Sequence, residues 1–298
     1  MTRAYVISNP QASRAAAGSL SRAIAALRRG GLLVEVAQDG DGRRGAELAR
    51  AALADGAELI VAHGGDGTMM EIAQVIAGTD VPLGILPAGT GNRLAENLGI
   101  RWSIAGATGV ILGGRARRID LGRLETAERT SYFAVAAGCG FDAEVMQRTG
   151  AGSKRAFGVG AYLWAAIHLA MDMPRAKVRI VTDEAVHEGE AVSVLLANCG
   201  EILPTGRPLA PQVRPDDGIL DVIVLDAEGF SGATRLAWRL ATGRAESGPG
   251  MTMLRARRVS ITTEPALPSQ ADGELSGVTP LVAEVLPGAL TVLAPAEA

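Results

Sequence analysis

Gly64-Gly65-Asp66-Gly67-Thr68 stands between an apolar run, Ala57-Glu58-Leu59-Ile60-Val61-Ala62, and a segment of helical character, Met69-Met70-Glu71-Ile72-Ala73-Gln74-Val75-Ile76-Ala77. Strand, glycine turn and helix start in that order make a seat for phosphate. Glycines let backbone N–H groups approach an anion with no Cβ in the way. The helix N-terminus adds unpaired donors and the positive end of its dipole. Asp66, facing polyphosphate, is placed to hold Mg²⁺ directly or through water. Gly-Asp-Gly alone is a common turn, but the unit recurs. Leu83-Gly84-Ile85-Leu86 reads as a buried strand, Pro87-Ala88-Gly89-Thr90-Gly91-Asn92 as a second glycine turn, and Arg93 to Leu98 as a short helix closed by Gly99. Two such units in succession predict adjacent parallel strands with both loops at one edge, where open α/β sheets bind ligands.

The same alternation extends back to the start of the chain. Ala4 to Ser8 reads as a strand ending in Asn9-Pro10, Ala15 to Arg29 as a helix, Leu32 to Val36 as a strand and Arg44 to Leu53 as a helix. This βαβα order predicts a Rossmann-like parallel sheet covered by helices, over residues 1–122. After Leu121 the pattern changes. Strand-like segments separated by turns follow at Tyr132 to Ala137, Lys177 to Thr182, Ala191 to Ala197, Leu220 to Leu225, Arg258 to Thr262 and Ala289 to Leu293. Helical segments interrupt them at Gly158 to Asp172 and Ser231 to Thr242. The expectation is a second, mainly antiparallel β-sandwich domain over 123–284, with a tail at about 285–298 that can return to the first.

Composition narrows the function. Of 298 residues, 48% are hydrophobic and 20% charged, so a sizeable core forms and global disorder is excluded. A net charge of −3 argues against a nucleic-acid partner, which usually calls for a basic face. The two cysteines, Cys139 and Cys199, have no metal-ligand spacing and read as buried thiols of a cytoplasmic protein. No signal peptide is visible, and the longest apolar stretch, Ala156 to Met171, contains His168 and is short for a membrane span.

Several carboxylates stand beside turns: Asp120 in Ile119-Asp120-Leu121-Gly122, Asp142 after Gly140-Phe141, Asp216-Asp217-Gly218 before Ile219-Leu220-Asp221, and Asp272-Gly273-Glu274. Each alone is as well read as turn or cap chemistry. Together with two glycine loops they fit phosphoryl transfer, which needs a phosphate cradle, Mg²⁺ held by carboxylates and a base near the acceptor hydroxyl. The Walker lysine, the protein-kinase signatures and a G-x-S-x-G elbow are all missing. His63 adjoins the first loop, either beside nucleotide or as a core histidine at a strand end.

At this point the chain resembles the diacylglycerol kinase catalytic-domain family, which includes bacterial lipid kinases and sphingosine kinases. The resemblance is carried, in order, by Asn9-Pro10, Gly64 to Thr68, Leu86 to Asn92, Asp120-Leu121-Gly122, Gly138 to Asp142, Pro211 to Asp221 and Asp272-Gly273-Glu274. It implies an ATP-binding α/β domain, a β-sandwich-like lipid-substrate domain and a cleft between them. It implies that Asn9, Gly64, Gly65, Asp66, Gly67, Thr68, Thr90 and Asn92 face nucleotide. Glu274 would be the proton acceptor, with Asp272 close to the metal. Asp66 and Asp120 would join the water network of a catalytic Mg²⁺. Arg214 and Ile219 would offer carbonyls, and Asp217 a carboxylate, to a second, structural Mg²⁺. Two positions depart from the family. Arg93 stands where many bacterial members have Asp, an Asp that sphingosine-kinase-like members also lack, and the nucleotide-contacting Thr often found after the second strand is replaced near Gln38.

The activity so implied is transfer of the γ-phosphate of ATP to a lipid hydroxyl in phospholipid biosynthesis, with diacylglycerol giving phosphatidic acid. Alternatives are a sphingoid base or other lipid alcohol, a soluble acceptor such as a nicotinamide nucleotide or sugar, or a non-catalytic nucleotide- or lipid-binding regulator. The acceptor enters from a membrane, so the expected location is cytoplasmic and peripheral, with transient membrane-surface contact; a homodimer stays open. The stretch Phe157 to Trp164, between Lys154-Arg155 and Arg175, reads either as a lipid-contacting segment or as a core helix.

Overall fold

The computed structural model describes residues 1–9, 17–38, 45–100, 103–140, 175–202, 208–227, 229–242, 244 and 246–296. The predicted helix Gly158 to Asp172, the stretch Phe157 to Trp164 and Asp142 lie outside the described residues. The chain divides into two compact units, Met1–Ile119 with Gly288–Ala298, and Asp120–Pro287.

The first unit alternates as its apolar spacing predicts: β1 (Arg3–Ser8), α1 (Ala17–Arg29), β2 (Leu33–Gln38), α2 (Gly45–Ala54), β3 (Leu59–Gly64), α3 (Asp66–Ile76), β4 (Leu83–Pro87), α4 (Arg93–Asn97) and α5 (Ile104–Gly113). Strand order is β2-β1-β3-β4, all parallel. β3 and β4 are buried along their whole length, as strands covered on both faces are. The helices pack in pairs, α1 with α5 and α2 with α3. The end of a late strand, β16 (Leu281–Ala294), adds beside β4 in parallel through Val292 and Leu83.

α3 starts at Asp66, three residues before the Met69 that its apolar period suggests, so Asp66, Gly67 and Thr68 form its first turn. α5 has no clear sequence signature. It carries Gly106, Gly109 and Gly113, each of which weakens a helix. It is held by the Ser103 side chain, which accepts the Gly106 N–H at 3.1 Å, and by burial of Ala107, Thr108 and Ile111.

The second unit contains the remainder of β5 (Arg115–Thr126), then β6 (Thr130–Phe133), β7 (Ala136–Gly140), β8 (Ala176–Thr182), β9 (Val186–Ala191), β10 (Ser193–Ala197), β11 (Leu220–Leu225), α6 (Gly229–Ala241), β12 (Met251–Ala256), β13 (Arg258–Glu264), β14 (Pro268–Ala271), β15 (Glu274–Val278) and the first half of β16. One antiparallel sheet runs β12-β11-β10-β7-β14-β15. β16, β13, β8 and β9 pair in that order, also antiparallel. A single buried cluster draws on both sets of strands, with Cys139, Val194 and Val222 from one and Val178, Ile261 and Leu281 from the other. The unit is therefore a two-layer β-sandwich.

The sequence predicts one strand from Tyr132 to Ala137; the structure breaks it between Phe133 and Ala136. The reason is a distant carboxylate. Asp272 accepts the N–H groups of Ala134, Val135 and Ala136 at 2.6, 3.0 and 2.9 Å, turning these amides away from any ladder. The predicted strand Ala191 to Ala197 also breaks, at Val192, where the chain passes from β9, paired with β8, to β10, paired with β7 and β11.

Candidate active site

In the first unit the strand order changes direction between β1 and β3, the position at which open α/β sheets bind ligands. The carboxyl ends of these strands deliver Asn9 and Gly64 side by side, and the Asn9 N–H donates to His63 O at 3.1 Å. Gly65 is the N-cap of α3 and provides no side chain to cap its first-turn amides. Thr68, nearly buried, folds back over Gly64: a Cβ on Gly64 would lie 2.6 Å from Thr68 Oγ1. Asn9 Nδ2 reaches the same hydroxyl at 3.4 Å.

The two glycine loops interlock. A Cβ on Gly89 would stand 2.5 Å from Gly65 Cα, and one on Gly65 would stand 3.3 Å from Gly89 Cα. Backbone-to-backbone contact therefore demands glycine at position 89 and leaves a Cβ at position 65 tightly placed, independently of any anion. Asn92, with φ 48° and 2% exposure, shapes the second loop. Its Oδ1 accepts the Gly89 N–H at 3.0 Å and its Nδ2 donates to Gly89 O at 2.9 Å. Its side chain is thus engaged inside the loop, whereas Thr90 and Gly67 are exposed.

Asp66 joins the two units of the motif. Its Oδ1 accepts the Leu94 N–H at 3.3 Å, at the start of α4. Burial raises its pKa, and the backbone amides of Leu94, Arg93 and Asn92, with the Arg93 charge, oppose that rise. Arg93 itself pairs with Glu96 at 2.6 Å. A Cβ on Gly91 would come within 2.8 Å of Asp66 Oδ2, so glycine there keeps the approach to that oxygen open. A cradle that one methyl group would close, beside a carboxylate, fits an Mg²⁺–triphosphate. Among the described residues no group of three or more His, Cys, Asp or Glu is placed to hold a metal by itself. Mg²⁺ at phosphates needs only one or two carboxylates, the substrate supplying further oxygens.

His63 is a fully buried residue of β3. Its Nδ1 lies 2.8 Å from Ser8 Oγ, and its Nε2 has no hydrogen-bond partner. Burial lowers its pKa, so the fold keeps the ring neutral while the unfolded chain titrates near 6.5. Below that value the unfolded state binds the extra proton, and stability falls with pH. Urea unfolding at pH 7.5 and 5.5 checks this. Relative to His63→Gln, the wild type is expected to lose up to about 1.4 kcal/mol per pH unit below 6.5; a constant difference would contradict it.

In the second unit, Asp272-Gly273 is the two-residue turn between β14 and β15, with φ 45° and 89°. Asp-Gly is a favoured pair for the type I′ turn such hairpins use. Gln270 Oε1 accepts the Gly273 N–H at 2.8 Å. With three amides on its carboxylate and its own N–H on Ala136 O at 2.9 Å, Asp272 clamps the turn to the β6–β7 break. Its carboxylate is engaged with backbone, where the resemblance implies a place close to a metal. Glu274 is the first residue of β15, and it is exposed.

Asp120, 2% exposed, holds the Asp216-Asp217-Gly218 turn. Its Oδ2 accepts the Gly218 N–H at 2.7 Å and its N–H donates to Pro215 O at 2.6 Å. Asn198, which no sequence motif marks, ties Asp120 O to Ala134 O with one amide nitrogen, at 3.0 and 2.7 Å. Asp217 Oδ1 accepts the Ile219 N–H at 3.1 Å, and its Oδ2 accepts from Arg255. Arg214 is exposed and pairs with Asp216 at 3.3 Å.

Comparison with known proteins identifies the ensemble. The diacylglycerol kinase catalytic domain matches residues 3–124, and the YegS C-terminal NAD kinase beta sandwich-like domain matches residues 135–294. The chain belongs to this family of kinases. A diacylglycerol kinase of Mycobacterium tuberculosis is 30% identical over 97% of this chain and 94% of that protein. A Pseudomonas aeruginosa protein named "Probable lipid kinase YegS-like" is 36% identical over 92% and 89%. An uncharacterized Synechocystis protein is 30% identical over 82% of this chain, which spans just over half, 56%, of that longer relative. A Bacillus anthracis crystal structure provisionally named a diacylglycerol kinase superposes with a TM-score of 0.83 at 26% identity, over 98% of this chain and 96% of that one. As a lipid kinase of the diacylglycerol kinase and YegS family, the chain is an ATP-dependent phosphotransferase. No helix among the described residues is long and apolar enough to cross a membrane.

Proposed function

We propose that this kinase transfers the γ-phosphoryl group of ATP to the hydroxyl of diacylglycerol, giving phosphatidic acid. The observation that supports the nucleotide half is the pair of interlocked glycine loops at the carboxyl ends of β3 and β4, in a chain that matches the diacylglycerol kinase domain. In this reading the first-turn amides of α3, with Gly64, Gly65, Gly67 and Thr68, seat the phosphates. Asn9 sets Thr68, Asn92 sets Gly89, and Thr90 meets nucleotide from the loop tip. Asp66 would hold Mg²⁺ with the nucleotide, and the ion supplies neutralisation of charge on the β- and γ-phosphates. Glu274 takes the proton of the lipid hydroxyl as its oxygen bonds to the γ-phosphorus and the bond to ADP breaks. Asp272 positions Glu274 through the turn it clamps. Asp120 acts by fixing the Asp216-Asp217-Gly218 turn. A lipid acceptor requires the enzyme to work at a membrane surface.

The test is transfer of label from γ-labelled ATP to acceptors in detergent micelles. The panel holds diacylglycerol, monoacylglycerol, a sphingoid base, a polyisoprenoid alcohol and a nicotinamide nucleotide. The expected result is label in phosphatidic acid. Label in the sphingoid base alone would move the substrate to the class that Arg93 brings to mind. Label in the soluble nucleotide alone, or ATP binding with no acceptor-dependent transfer, would overturn the proposal.

A further inference from the structure

The resemblance implies a second, structural Mg²⁺ on Asp217, with carbonyls of Arg214 and Ile219. The residues present do not fit it. Both oxygens of Asp217 are engaged: Oδ1 with the Ile219 amide at 3.1 Å, Oδ2 with the Arg255 guanidinium. The same guanidinium lies beside a second carboxylate. Arg255 and Asp221 are direct cross-strand partners on β12 and β11, so their side chains share one face. Arg255 Nε stands 3.6 Å from Asp221 Oδ1, an ion-pair distance too long for a hydrogen bond. Asp221 is 1% exposed, and that oxygen is buried with no hydrogen-bond partner. A buried carboxylate of this kind requires a compensating cation. Arg255, half exposed, reaches both acids from solvent and provides one.

We infer that Arg255 takes the place of the divalent ion: a fixed guanidinium, rather than Mg²⁺, is the counter-charge of Asp217 and Asp221. A cation's other duty here would be to hold the turn before β11, and covalently attached parts already do so. Asp120 grips Gly218 and Pro215, Asp217 closes on Ile219, and Arg255 fastens Asp217 to β12. A dication added beside the guanidinium would meet like charge in place of free carboxylate oxygen. The Mg²⁺ requirement of this kinase then reduces to the ion that travels with nucleotide.

Thermal unfolding without nucleotide tests this, with Mg²⁺ raised at constant ionic strength. The wild type is expected to show no saturable rise in Tm that is lost in Asp217→Asn. In Mg²⁺-free buffer Arg255→Met, which keeps the apolar stem, is expected to unfold roughly 5 °C lower, because two carboxylates lose their counter-charge. A saturable Mg²⁺-dependent rise in the wild type that Asp217→Asn abolishes would overturn the inference. So would an Arg255→Met protein as stable as the wild type without Mg²⁺. Should Arg255→Met fail to fold, the comparison of wild type with Asp217→Asn decides alone. None of these readouts depends on which alcohol the enzyme phosphorylates.

Discussion

Replacing Glu274 with Gln is expected to lower the rate of lipid phosphorylation by about 10²–10⁴-fold, the range general-base catalysis contributes. ATP affinity should not change, because every residue assigned to the nucleotide lies elsewhere in the chain. The fold should not change either. Glu274 is exposed on β15, and its backbone pairs with Ala271 whatever its side chain is. Single-turnover transfer measured beside ATP binding by calorimetry separates the two effects. A loss of ATP affinity with unchanged single-turnover rate would remove Glu274 from the chemistry.

Asp272→Asn should act on both structure and catalysis. The carboxylate accepts three backbone N–H groups, and hydrogen bonds to a charged group contribute about 1.5–3 kcal/mol each. Asn keeps one acceptor oxygen and turns an NH₂ group toward amides that need an acceptor. At least one N–H near Ala134 then loses its partner. The expected cost is roughly 2–3 kcal/mol, or a Tm lower by about 5–10 °C for a unit of this size. Glu274, two residues along a turn that has lost its clamp, should show a lower kcat with an unchanged ATP affinity. Calorimetric melting and steady-state kinetics on the folded variant check both. A variant with wild-type Tm and no activity would make Asp272 a group that contacts substrate, and would withdraw its assignment as a positioning residue.

The parallel half of the fold was legible because each signal is local. A glycine turn follows each of β3 and β4 directly, and an apolar run precedes it. The glycines themselves were read only in part. Their freedom suggested approach to an anion, whereas Gly65 and Gly89 are also fixed by contact with each other, across a separation that sequence does not show. Asp66 looked like a metal holder, yet one of its oxygens serves the start of α4. The antiparallel half hides more. The break between β6 and β7 is written at Asp272, 138 positions from Ala134. Arg255 sits in an ordinary strand and acquires meaning only when the register sets it opposite Asp221. α5, with three glycines, is a helix by packing on α1 and β4 more than by propensity. Order and type of element followed from residues near one another; the duties of Asp120, Asp217 and Asp272 came from partners far along the chain.

The most direct measurement follows a labelled γ-phosphate from ATP through the wild-type enzyme in micelles containing diacylglycerol, with the extracted lipid identified by mass spectrometry. The account predicts phosphatidic acid carrying the label, formed in proportion to diacylglycerol and to Mg²⁺–ATP. Label found only as inorganic phosphate, or no consumption of ATP by a protein that binds it, would contradict the account.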